Sequence, residues 1–178
     1  GGHRIQEFDL GGIGRAEGAR SAELLVTARG DRVPMRIAFQ VCYGTGSGLD
    51  SSINISLFSP YVFAPEGKTG RAWVEIAGAP EVENRLGLYH TSPLADDAEH
   101  EVTIHLYRDA DPESREATLR LRGKQAWAQE MDALIPGYKD FLGGRNGFIY
   151  GESDSQFLRC LSLQTHSRTG HTSGEHGF

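Results

Sequence analysis

The sequence predicts an all-β chain, an antiparallel β-sandwich or flattened barrel of about eight strands with one C-terminal amphipathic helix. Three observations carry this. Residues 21–43 hold two alternating apolar runs that face each other across the polar break Arg29-Gly30-Asp31-Arg32. A second alternating pair occupies 101–122. The apolar period changes to that of a helix only once, after Lys124, so the crossover helices that a parallel sheet requires have no place in the pattern.

Residues 5–10 alternate briefly and read as an edge strand. In the first hairpin, a loop over 29–32 sets Ala28/Val33, Val26/Met35, Leu24/Ile37 and Ala22/Phe39 on one face. The same loop moves Pro34 to a non-hydrogen-bonded pair, where its missing N–H breaks no ladder bond and marks an edge or a bulge. After a glycine-rich loop at 44–48, Ile53, Ile55 and Leu57 form a strand that Ser59-Pro60 stops. Ala72, Val74 and Ile76 alternate with Trp73 and Glu75, and 86–89 reads as a short strand.

The second hairpin is expected to pair Val102/Leu121, Ile104/Leu119 and Leu106/Ala117 inside. Outside, it opposes Glu101/Arg122, Thr103/Arg120 and His105/Thr118, a charge match across the strands. Trp127, Met131, Leu134 and Tyr138 then recur at i, i+4, i+7 and i+11, which predicts a helix over 124–135 ended by Pro136-Gly137, with room for a further short turn through 138–142. Residues 148–150 and 157–163 close the fold as strands. One domain is expected over 1–165, followed by a polar flexible tail at 166–178.

The 178 residues are 38% apolar and 24% charged, an ordinary globular composition. A net charge of −6 without a run of Lys or Arg argues against a nucleic-acid partner. No apolar stretch approaches the roughly 20 residues of a membrane-spanning helix. Cys42 and Cys160 both fall in apparent strands and fit either one disulfide or two buried thiols. The composition leaves the compartment open, and the expectation is a soluble chain, extracytoplasmic or particle-associated.

Each candidate chemistry stands beside a plainer reading. The glycine-rich segment 11–20 is not followed by the crossover helix that a dinucleotide loop opens, and the chain has no Gly-x-Ser-x-Gly elbow. His90, His100 and His105 come from neighbouring segments and could supply imidazoles to zinc or copper, although five positions along one strand place His100 and His105 on opposite faces. Acidic clusters at 96–99 and 109–113 carry alternate carboxylates of the kind calcium takes, but also fit solvated turns. Tyr61, Trp73, Tyr89 and Tyr107 are aromatic residues of the middle segments, and Trp73 and Tyr107 fall on the polar-facing side of their strands. An exposed aromatic row there suits sugar rings or a protein partner, a second copy included. The preferred expectation is therefore a non-enzymatic binding or assembly module acting through its sheet surface. The alternative is a small metal-dependent enzyme or ligand-binding protein built on the three histidines.

Overall fold

The computed structural model describes residues 69–90, 98–123 and 125–175 with their side chains, and 39–43, 51–55 and 176 as backbone. Chain contacts divide the molecule into Gly1–Arg36 and Ile37–Phe178, and every described residue belongs to the second unit. The strand expected at 5–10 and most of the hairpin expected at 21–43 lie outside the described residues.

The chain is mainly β, with two open antiparallel sheets of four strands and a minor helical part. A ribbon of β1 (Phe39–Tyr43) and β2 (Ser51–Ile55) comes first. One sheet contains β3 (Gly70–Ile76), β8 (Gly147–Ser153), β5 (Glu99–Arg108) and β6 (Ser114–Arg122), in that order. The other contains β10 (Thr172–His176), β9 (Leu158–His166), β4 (Val82–His90) and β7 (Ala126–Glu130). Two short helices, α1 (Met131–Leu134) and α2 (Tyr138–Leu142), lie between β7 and β8.

Period-two alternation decides which side chains go inward. β3 buries Ala72, Val74 and Ile76 and exposes Arg71, Trp73 and Glu75. Val102, Ile104, Leu106, Leu121 and Ile149 join them from the same sheet. Leu86, Leu88, Leu158 and Cys160 from the other sheet, with Met131, Tyr138 and Leu142 from the helical part, complete a single apolar cluster. Expectation and structure agree on the inward sets of 72–76 and 102–106.

Three expectations are corrected. The helix foreseen over 124–135 is a strand at its start: β7 pairs antiparallel with β4, setting Trp127 opposite Leu88 and Glu130 opposite Arg85. An Arg85–Glu130 ion pair of 2.7 Å ties the two strands. The aromatic and aliphatic stripe still meets the core, with Met131 and Tyr138 buried and Trp127 and Leu134 packed against it, but it does so from three successive elements. The ladder to β4 satisfies backbone groups that the helix would have satisfied internally. Gly137, at φ 72°, separates α1 from α2, and the short turn foreseen at 138–142 is formed.

The second correction concerns register. Glu101 faces Arg120 and Val102 faces Leu119, two positions away from the expected pairing. A two-residue slip leaves every side chain on its expected face. It also trades one Glu/Arg match for two, since Glu99 now opposes Arg122 at 3.3 Å while Glu101 opposes Arg120. The five-residue loop at 109–113 holds this register: Asp111 accepts from Arg108 Nε at 3.1 Å and from the N–H of Glu113 at 2.9 Å.

Third, the polar segment 166–178 contains β10, hydrogen-bonded to β9 with Thr172 opposite Thr165. Gly170, at φ 71°, donates its N–H to His166 and turns the chain back. Main-chain pairing needs no apolar pattern, so a Gly/Ser/Thr/His composition conceals a strand.

Candidate binding face

The outward residues of the β3-β8-β5-β6 sheet form rows. Trp73 faces Tyr150, Tyr150 faces His105, and His105 faces Glu116. In the next row Glu75 faces Phe148, Phe148 faces Tyr107, and Tyr107 faces Ser114. Five ring-bearing side chains thus share one side of three adjacent strands. Tyr107 and Phe148 stack at 5.1 Å with their planes 19° apart, and His105 lies 6.2 Å from both Tyr107 and Tyr150. Trp73 and Phe148 are the exposed large apolar side chains among the described residues, at 47% and 42%.

Polar groups beside the rings are held in place. Asn146 Nδ2 donates to Glu75 Oε1 at 2.8 Å, and Tyr150 Oη donates to Glu152 Oε1 at 2.9 Å. Arg71 lies 3.7 Å from Glu152, and His105 Nδ1 meets Glu116 at 3.0 Å. Burial first, and then the hydrogen bond to Glu152, raise the Tyr150 phenol above its ordinary value, so it stays a donor at neutral pH. A shallow groove of about 690 Å³ runs along Trp73, Glu75, Asp109, Asn146, Phe148 and Tyr150.

Of the four aromatic residues singled out in the sequence, the structure places Trp73 and Tyr107 on this one face, bridged by Phe148 and Tyr150. Those two were read only as part of a closing strand. The alternation of Phe148, Tyr150 and Glu152 against Ile149 and Gly151 was the signal that would have found them. Tyr89 belongs to β4 in the other sheet, opposite Ala126 and Arg159, and is not part of the face. Its phenol is raised by burial and then by Cys160. Tyr61 lies outside the described residues.

The three histidines do not converge. His90, 3% exposed at the end of β4, hydrogen-bonds through Nε2 to Ser155 Oγ. His100 stacks on it at 4.6 Å with the rings 6° from parallel and directs Nδ1 to Asp154 at 2.9 Å. His105 is on the opposite side of β5, among the aromatic rings. A metal lies in the plane of each imidazole that binds it, about 2.1 Å from the nitrogen, and two parallel stacked planes have no such point in common. Among the described residues no group of three His, Cys, Asp or Glu side chains could hold a metal ion.

The acidic loop at 109–113 likewise closes on an arginine: Arg108 engages Asp111 through both Nε and Nη2. The N–H of Glu113 and then Arg108 hold the Asp111 carboxyl below its ordinary value. Asp96 and Asp97 lie outside the described residues. Cys160 is buried in the core, whereas the side chain of Cys42, its partner in the disulfide alternative, lies outside the described residues. No helix among the described residues is long and apolar enough to cross a membrane.

No protein-family model matches the chain, and no curated protein matches it. Among solved structures, it is similar to the crystal structure of Thermotoga maritima 1070, with a TM-score of 0.45 and 10% identity, covering 61% of this chain and 92% of that one.

Proposed function

We propose that the chain is a non-enzymatic binding module, a β-sandwich whose aromatic outer face recognises a saccharide. The observation that carries this reading is the pair of exposed rings, Trp73 and Phe148, set on rigid strands beside carboxylates that Asn146 and Tyr150 already orient. A sugar presents an apolar C–H face to a ring and hydroxyl donors at its edge, so stacking and oriented acceptors together match its chemistry. Glu75, Glu116, Glu152 and Asp109 make the rim acidic, which favours a neutral sugar over an acidic one. Glu75 and Glu152, the carboxylates that Asn146 and Tyr150 orient, are poorly spaced for glycoside hydrolysis. Glu152 sits opposite Arg71, four residues along β3 from Glu75, a backbone offset of roughly 13 Å that exceeds the separation of either glycosidase geometry.

Neutral β-linked oligosaccharides of glucose, xylose and N-acetylglucosamine, titrated by calorimetry and by tryptophan fluorescence, test the reading. At least one should bind, and Trp73→Ala should weaken it roughly thirtyfold, the loss expected of a central aromatic anchor. Trp127→Phe should leave the affinity unchanged, since that ring packs against the core from the other sheet. Failure of all three classes to bind, or full affinity in Trp73→Ala, would refute the proposal, and capture of a protein in their place would reassign the face.

A further inference from the structure

Among the described residues β6 pairs with β5 alone, which leaves its other edge unpaired. Its outward side chains lie at the surface, with Glu116 61% and Arg120 70% exposed. On its inward side Ala117 and Leu119 are only partly buried against the core. A row of arginines is a common guard against edge pairing. Here, however, the nine residues Ser114-Arg115-Glu116-Ala117-Thr118-Leu119-Arg120-Leu121-Arg122 carry opposite charges at positions symmetric about Thr118.

We infer that the β6 edge pairs with the β6 edge of a second copy of this chain, antiparallel and centred on Thr118, so that Glu116 of each copy meets Arg120 of the other. In that register all nine residues have a partner. Ala117 lies opposite Leu119 of the other copy, so the partly buried apolar pair is covered on both sides. Centring instead on Glu116 or Arg120 sets like charges opposite each other, and centring on Ala117 or Leu119 pairs only seven of the nine residues. The contact also extends an existing ion row. His105 opposes Glu116 and Glu101 opposes Arg120 within one copy, so the joined sheet reads His105, Glu116, Arg120, Glu101 across the junction, with charge alternating from Glu116 to Glu101. Because same-face residues pair, the two-fold axis is perpendicular to the sheet and both aromatic faces point the same way. The two β8 strands are then five strand spacings apart, about 24 Å, close enough for one extended ligand to span both. The inference goes beyond the saccharide reading and does not depend on it.

Sedimentation velocity of the full chain between about 5 and 500 µM should show reversible dimerisation in the micromolar range of a small interface. Arg120→Glu and Glu116→Arg should each weaken self-association at least about tenfold, because each sets two like-charge pairs across the junction. An equimolar mixture of the two variants should associate again as a heterodimer, since both junction pairs are then of opposite sign. A purely structural role for these side chains would not produce that rescue. A wild-type chain that stays monomeric over this range, variants that dimerise as well as wild type, or a mixture no better associated than its components would each overturn the inference. Saccharide titrations below the dimerisation range read the aromatic face separately.

Discussion

Replacing Gly78 with alanine is expected to destabilise the protein by about 3 kcal/mol or more, although the change adds one methyl group. A Cβ at this position would lie 1.8 Å from the backbone oxygen of Arg145 and 2.6 Å from its carbonyl carbon, so a stretch of main chain has to move rather than a side-chain tip. The crowded segment is held on both sides. Gly143 and Gly144 enter it at φ 59° and 79°, and Asn146 leaves it with Oδ1 accepting the Gly78 N–H at 3.4 Å and Nδ2 donating to Glu75. Displacing Asn146 releases the Glu75 carboxylate beside Trp73, so saccharide affinity should fall along with stability. Gly144→Ala is the control. Nothing lies within 4 Å of its Cβ, and only the left-handed backbone is penalised, at about 1–2 kcal/mol. Urea unfolding followed by tryptophan fluorescence compares the two. A Gly78→Ala chain no less stable than Gly144→Ala would show that the close approach of the turn after β3 to residue 145 is not a constraint on the fold.

The parts of the fold legible in the sequence were those where one face of a strand is buried and the other wet. Ala72, Val74 and Ile76 against Trp73 and Glu75, and Val102, Ile104 and Leu106 against Thr103, His105 and Tyr107, announce both strand and orientation because burial alternates at the same period as the residue type. Register was not legible. Glu101 meets an arginine whether it faces Arg122 or Arg120, and the second match, Glu99 with Arg122, emerges only in the register that the short loop around Asp111 allows. The stretch 126–138 was misread because Trp127, Met131, Leu134 and Tyr138 reach the core from a strand and two short helices at a spacing that one long helix would share. β10 was hidden for the opposite reason, since a strand held by main-chain bonds to β9 needs no apolar residue.

The candidate face was half legible. Parity alone put Trp73 and Tyr107 on the outer side of their strands, but their union depends on β8 lying between β3 and β5, a non-local pairing that no local pattern encodes. The histidines illustrate the same limit from the other direction. His90 and His100, ten residues apart in sequence, are brought together by the packing of two sheet ends, and only the opposite facing of His105 could be read from spacing.

Asn84→Ala is expected to cost about 3 kcal/mol, because this 1% exposed side chain is a polar tie on the inward side of β4, in line with buried Leu86 and Leu88. Its Oδ1 accepts the Ala77 N–H at 3.1 Å, while Nδ2 donates to the Ala77 carbonyl at 2.7 Å and to Tyr138 Oη at 3.2 Å. The amide thus closes the turn from β3 into β4 and docks α2 on it, and its loss takes the partner from both backbone groups of half-buried Ala77. Asn84→Asp separates the hydrogen-bond role from simple packing. A protonated carboxyl can accept from the Ala77 N–H and donate to its carbonyl, as the amide does, whereas a carboxylate faces the carbonyl with no proton between them. Burial raises the folded-state pKa of such an aspartate above its unfolded value. The variant should therefore be closest to wild type at pH values below the unfolded aspartate pKa, near 4, and lose stability relative to wild type as pH rises toward neutrality. Urea unfolding of both chains at about pH 4 and pH 7 reads that difference directly. A stability gap that does not change with pH would mean that Asn84 acts by filling space and that the turn after β3 is held by other contacts.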